Sequence, residues 1–322
     1  MFIQADHTEG FERSVATISK QIKADLLLLT ITICWGSSFI LMKNVLESTS
    51  VSSFLAVRFI VATVVLLPVI YGRRKEISPR VLRQSAFIGL MLFGSLIFQV
   101  YGLQYIAAST SAFITSLYVV MVPMASLAFI HRRPEVSSVT GVIFALTGLF
   151  FLCGGVRLQC NIGNGLTFLS AVCSTFQILL IDRYTKEESP VLLGAFQVMF
   201  CALFSTVAWI ATGLDAVVWS SSVITAVTVT GLLCTAFAFI VQAVVQQFTS
   251  PTHTALIFVA EPVFGTLFAM VIPDSQGVTE GLTFNMAVGS ILMMGGMLIS
   301  ELHLANKIHW NTDKKALKES PP

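Results

Sequence analysis

Ten apolar stretches of about 20 residues dominate this chain, and a helix of that length, rising about 1.5 Å per residue, spans about 30 Å of hydrocarbon. They read 24–43, 51–70, 84–105, 109–130, 136–153, 163–181, 191–210, 223–245, 252–272 and 282–302. Hydrocarbon offers backbone groups no partner, so each stretch is predicted to be a helix. The fold class that follows is an all-α integral membrane protein with ten transmembrane helices. Composition agrees, with 55% hydrophobic and 11% charged residues, where soluble domains carry about 25% charged.

Charge then orients the bundle. With the N-terminus placed inside, the inner segments hold Arg13, Lys20 and Lys23, the cluster from Arg73 to Arg83, Arg132 and Arg133, Arg183 and Lys186, and the lysines from Lys307 to Lys318. Of the 19 Lys and Arg, this leaves only Lys43, Arg58 and Arg157 elsewhere. Short cytoplasmic loops retain positive charge, so the expectation is a multi-pass cell-membrane protein with both termini cytoplasmic. The net charge of +2 is explained by topology, and no basic stripe interleaved with aromatics points to nucleic acid. Residues 1–23 form a cytoplasmic segment too polar to begin a cleaved signal. Within it Phe11, Val15, Ile18 and Ile22 recur at helical spacing, suiting either a helix on the inner headgroups or a frayed tail. Residues 305–322 read as a short basic cytoplasmic tail. The cysteines lack metal-ligand spacing, and Cys153 and Cys160, which flank an outer loop, are expected to be free thiols.

The chain also repeats itself. Adding 139 carries Asp25 onto Asn164, Pro123 onto Pro262, Pro134 onto Pro273 and Glu135 onto Asp274. In the third span the offset is 142, pairing Gly89 with Gly231 and Gln104 with Gln246; in the fifth it is 148, pairing Gly141 with Gly289 and Gly148 with Gly296. Each copy, 24–153 and 163–304, makes five crossings. Five is odd, so the second copy enters from the opposite face and the repeats are inverted. Such halves enclose a mid-membrane crevice that either can close, the basis of alternating access.

Several of these residues also form a pattern. The run Cys34-Trp35-Gly36-Ser37-Ser38-Phe39, the run Ala56-Val57-Arg58-Phe59, the mid-span Pro123 and the run Ala260-Glu261-Pro262 resemble the EamA-type drug/metabolite transporters over about residues 24–304. The resemblance implies a secondary transporter, commonly an exporter of amino acids, other small metabolites or drugs. It also implies a cavity lined by the first, third, fourth, sixth, eighth and ninth helices. In that family the fourth span usually ends in a Gly-Glu pair. Here Arg132 holds the acid's place, while Glu280 keeps it in the second half, which puts symmetrical gating in doubt.

Glu261 lies near the middle of the ninth span, where a carboxylate is expensive and faces a cavity or a partner. A buried acid can exchange its proton when the cavity admits water. It is the candidate for proton coupling or for holding a substrate amine, with a helix-tying acid as the structural alternative. Arg58 lies about 10 Å deep at helical rise and cannot shed its charge. Substrate binding, a tie to Glu261 and snorkelling to the headgroups all remain open for it. Their counterparts in the opposite copies are Gln197 and Val122, so charge is present once only. Pro123 and Pro262 recur instead, as paired helix kinks. Trp35, Tyr101, Gln104, Tyr118, Gln177, Gln242 and Gln246 complete the substrate-binding candidates, because amides and aromatic hydroxyls seek partners away from lipid. Ser37, Ser38, Gln99 and His253 are weaker ones. The paired glycines predict flat faces on the fifth and tenth spans, for a dimer or for a contact within one half.

No GxSxG, HExxH, CxxC or GxxxxGK[ST] motif is present, so neither enzyme chemistry nor a cofactor or metal is expected. The sequence is read as a transporter exporting a small molecule, with protons as a coupling ion. An uncoupled exchanger or importer is the alternative, and a membrane sensor or scaffold a more distant one. Substrate identity and oligomeric state are not encoded legibly.

Overall fold

The computed structural model describes the backbone of residues 3–46, 49–102, 104–106, 108–130, 136–154, 161–273, 277–279 and 281–300. It describes side chains within these from residue 21 onward, except at 39, 43, 46, 108, 109 and 130. The expectations placed on Lys43, Arg132, Pro134, Glu135, Arg157, Cys160, Asp274, Glu280 and the basic tail lie outside this set.

Among the described residues ten long helices follow one another. They are α1 (Ile3–Leu46), α2 (Val51–Gly72), α3 (Pro79–Gly102), α4 (Thr110–Phe129), α5 (Val136–Leu152), α6 (Ile162–Tyr184), α7 (Pro190–Ala211), α8 (Ser221–Gln246), α9 (Pro251–Ala269) and α10 (Phe284–Ser300). Eight are long and apolar enough to cross a bilayer, α1 doing so over Gln21–Met42, and α5 and α10 are shorter apolar helices. The polar N-terminal segment is helical and runs into the first span without a break. Hydroxyl caps start several spans, with Ser50 accepting from Ser53 N–H, Ser220 from Val223 N–H and Ser250 from His253 N–H. A cap satisfies an end group the helix itself cannot. Large apolar side chains such as Phe129, Phe284 and Ile291 are exposed on the outside, as a lipid-facing surface requires.

Packing obeys the twofold relation implied by the repeat. Exchanging α1 with α6, α2 with α7, α3 with α8, α4 with α9 and α5 with α10 maps the contact α3–α6 onto α8–α1. It likewise maps α4–α6 onto α9–α1 and α3–α7 onto α8–α2, and all of these contacts are present. The two five-helix halves are thus inverted and interlocked. Polar ties at the ends agree. Arg80, at the start of α3, pairs with Glu187 and with Glu188 (3.5 Å) between α6 and α7. At the opposite end Asn44 Nδ2 donates to Pro273 O (3.3 Å), joining the ends of α1 and α9.

The glycine faces meet each other across the two halves, and form neither a dimer face nor a contact within one half. A Cβ on Gly141 would stand 2.7 Å from Gly296 O, and one on Gly148 would stand 2.6 Å from Gly289 O. The symmetry exchanges these two contacts. Such spacing admits hydrogen only, because small residues are what let membrane helices approach. Gly148→Ala should therefore destabilise the protein by about 1–3 kcal/mol, the usual cost of overpacking, read as a lower melting temperature in detergent. Gly165→Ala, with nothing within 4 Å of the added methyl, should leave it unchanged or raised.

Candidate central binding cavity

A cavity of about 110 Å³ lies between the halves. Trp35, Tyr118, Phe239 and Phe258 give it an aromatic wall, with the Trp35 ring 4.7 Å from that of Phe258 and 5.5 Å from that of Phe239. Its polar lining comprises Arg58, Glu261, Gln177, Gln99 and the serines Ser38, Ser95 and Ser174. Helix α2 joins the six helices expected to line it, through Arg58. On α1 the lining residues lie in the second half of the span, on α2 in the first and on α3 in the second. The cavity therefore extends from mid-bundle toward the end opposite the N-terminus. The N-terminal end is packed with apolar residues, Ala24, Leu28 and Ile31 of α1 meeting Ala255, Leu256 and Ile257 of α9. There the buried His253 Nε2 lies 3.4 Å from Asp25 Oδ1. The histidine that stands alone in the sequence has an acid beside it in the fold.

Arg58 is 3% exposed, so it does not snorkel. Its Nε donates to Thr235 Oγ1 (2.8 Å), one terminal nitrogen reaches Cys234 O (3.5 Å) and the other Met42 Sδ (3.5 Å). A guanidinium carries five N–H donors, and these bonds do not occupy them all. Among the described residues no ion pair joins Arg58 to Glu261, although both line the cavity. The acceptors come from an irregularity in α8. Over Leu232–Phe237 the helix widens into a π-turn, in which Ala238 N–H reaches back to Leu233 O and Thr235 Oγ1 donates to Thr230 O (2.9 Å). Bulges of this kind recur at functional sites. This one presents Cys234 O to Trp35 Nε1 (2.9 Å) as well as to Arg58. Nothing in the sequence announced it.

Glu261 opens the second segment of an interrupted helix. Helix α9 consists of Pro251–Phe258 and Glu261–Ala269, with Pro262 in the first turn of the latter, where a missing N–H costs nothing. Among the described residues the Glu261 carboxylate has no hydrogen-bond donor, and it lines the cavity. Helix α4 is interrupted at Leu117, and after Pro123 it widens into a π-turn over Ser126–Ile130. At the interruption Val120 N–H and Met121 N–H share Leu117 O, and Pro123 lies inside the following segment, Tyr118–Ala125.

The glutamines divide. Gln177 lines the cavity, whereas Gln242 and Gln246 lie behind it, fully buried, in a network with Gln177 and Gln197. Tyr101 and Gln104 do not reach the cavity. Helix α3 ends at Gly102, short of the 105 expected, and places them in a second cavity of about 310 Å³ at the far end with Thr49, Ser52 and Asp215. Tyr101 Oη there lies 3.2 Å from Ser52 Oγ. Gln197, Thr235 and the Ser95–Ser174 pair (2.6 Å) are polar participants that the sequence did not single out. For Gln197 the signal existed, since it is the repeat partner of Arg58. Cys34, Cys153, Cys173, Cys201 and Cys234 are free thiols, and among the described residues no cluster suits a metal ion.

An inverted pair of helical halves, packed shut at one end around a polar mid-membrane cavity, is the build of a membrane transporter. The chain belongs to the EamA-like transporter family, whose profile matches residues 22–154 and again 161–302. An uncharacterized transporter of Archaeoglobus fulgidus is 29% identical over 285 residues, covering 88% of each chain. The uncharacterized transporter YoaV of Bacillus subtilis is 22% identical over 87% of this chain and 97% of its own. A solved crystal structure with 19% identity shares the fold, with a TM-score of 0.73 over 89% of this chain and 98% of that one.

The bond from Arg58 to Thr235 gives a direct check on the α2–α8 tie. Thr235→Val keeps the shape and removes the acceptor, so it should cost about 1.5–3 kcal/mol, the range for hydrogen bonds to charged groups. Thermal unfolding in detergent measures it.

Proposed function

We propose that the protein exports a small amphoteric metabolite, an amino acid or a drug-like compound of similar size, by alternating access between two five-helix repeats, 24–153 and 163–304. The supporting observation is that an arginine and a glutamate line one cavity without pairing. Two opposite charges left apart in a low-dielectric site are costly unless something completes them. A ligand carrying an anion and a cation does so, its carboxylate on Arg58 and its amine on Glu261. Aromatic walls suit an apolar side chain between them. Empty, the site leaves Glu261 to a proton, so proton and substrate compete for one carboxylate and are exchanged across the cycle. The asymmetry of Lys and Arg supports cytoplasmic termini in a cell membrane. On that orientation the cavity of this structure lies toward the outside, the state from which an exporter releases its cargo.

Flux in proteoliposomes tests the reading. With an imposed proton gradient the wild-type protein should concentrate a labelled amphoteric solute, and Glu261→Gln should abolish that accumulation. Unchanged flux at every gradient would refute proton coupling and leave uncoupled exchange. Arg58→Met keeps the side-chain volume and removes both the buried charge and its hydrogen bond to Thr235, so a loss of stability like that of Thr235→Val is expected. It should lower the melting temperature no further than Thr235→Val does while lowering ligand affinity by about tenfold or more. Loss of folding instead would make Arg58 a structural tie.

A further inference from the structure

Four amides, Gln177, Gln197, Gln242 and Gln246, form one buried network behind the cavity, and its hydrogen bonds have a direction. Both of its ends rest on main-chain carbonyls. Gln197 Nε2 donates to Phe239 O (3.3 Å) and Gln246 Nε2 donates to Ile178 O (2.6 Å). A carbonyl only accepts, so each of these glutamines must place its nitrogen on the carbonyl and turn its oxygen inward. Gln197 Oε1 then requires a donor, which is Gln177 Nε2 (3.3 Å), and Gln246 Oε1 requires Gln242 Nε2 (3.3 Å). Between them Gln177 and Gln242 pair amide to amide, each Nε2 donating to the other's Oε1 at 3.3 Å.

Gln177 Nε2 has two hydrogens, one given to Gln197 and one to Gln242. Its Oε1 takes one bond from Gln242, and an amide oxygen has two lone pairs. The remaining lone pair is the unfilled capacity of the Gln177 amide, and Gln177 is the member of the network that lines the cavity.

We infer that Gln177 is a specificity-determining residue held as a hydrogen-bond acceptor, and that with Glu261 it selects ligands whose cationic end carries N–H donors, a primary or secondary ammonium over a quaternary one. Gln197 is the positioning residue. It does not line the cavity, but it takes up the amide hydrogen that Gln177 would otherwise present there. The inference deepens the amphoteric-ligand reading and rests on it. Charge alone does not supply this selectivity, because Glu261 attracts any cation. A quaternary ammonium has the charge and lacks the donors, so it leaves the second lone pair of Gln177 Oε1 unused and gives the Glu261 carboxylate no hydrogen bond, and bonds left unmade in a closed site discriminate between ligands.

Ligand-dependent thermal stabilisation of the purified protein provides the test, since binding to the folded state raises its melting temperature. The probes are L-leucine and L-phenylalanine, each against its N,N,N-trimethyl derivative, which has the same two charges. The wild type should bind the primary amines about tenfold or more tightly than the trimethyl forms. Gln177→Leu should bring the two affinities together, mainly by weakening the amine. Gln197→Leu, a change outside the cavity, should also narrow the ratio, whereas Gln197→Glu, whose carboxyl oxygen still accepts from Gln177, should preserve it. A purely structural role for the network would lower stability in all three variants and leave the ratio untouched, which overturns the inference. Equal binding of both probe classes by the wild type overturns it as well, with the amphoteric reading intact. Binding of neither class removes the amphoteric reading and this inference with it.

Discussion

Hydrocarbon cannot complete a hydrogen bond, so every polar group carried into this bundle has to find its complement on another part of the chain. Here the complements cross between helices. Trp35 of α1 and Arg58 of α2 both converge on the π-turn of α8, Ser95 of α3 meets Ser174 of α6, and the glutamine network joins α6, α7 and α8. Interhelical bonds of this kind are individually modest in membranes. Their effect here is to fix which faces adjoin and where the cavity walls stand. Glu261 is a carboxylate set at a helix break that lines the cavity with no donor among the described residues.

The two halves share a scaffold and differ in chemistry. Where the first half has Arg58, the second has Gln197, and the arginine faces the cavity while the glutamine supports a neighbour. Where the second has Glu261, the first has the buried Val122. The difference extends to the closed end, since Asp25 beside His253 corresponds to Asn164 and Ile114. The duplicated frame is symmetric, and a few substitutions place the arginine in one half and the glutamate in the other.

Hydropathy made the architecture legible, because crossing a bilayer demands long apolar runs whatever the rest of the chain does. The span boundaries fell within a few residues of the helices, and α3 shows why the error mattered. Its end at Gly102 moves Tyr101 and Gln104 from the central cavity to the far one. Glu261, Arg58, Trp35, Tyr118 and Gln177 stood out in the sequence as costly or amphipathic residues within apolar runs, and they line one cavity. The π-turn was illegible, since no proline or unusual residue marks Leu232–Phe237 and its register comes from tertiary contacts with Trp35 and Arg58. Gln242 and Gln246 were legible as inward-facing but not as buried behind the wall, because a helical face in sequence does not tell cavity from core.

The glycine contacts of α5 and α10 limit how the molecule can rearrange. Gly141 meets Gly296 and Gly148 meets Gly289, two touching points about two turns, or roughly 10 Å, apart along the helix. Two fixed points define a line. In the proposed alternating-access cycle these contacts favour rocking of the halves about that line over sliding along it, and they set the broken helix α9, whose Leu256 packs against Gly141, beside the pivot.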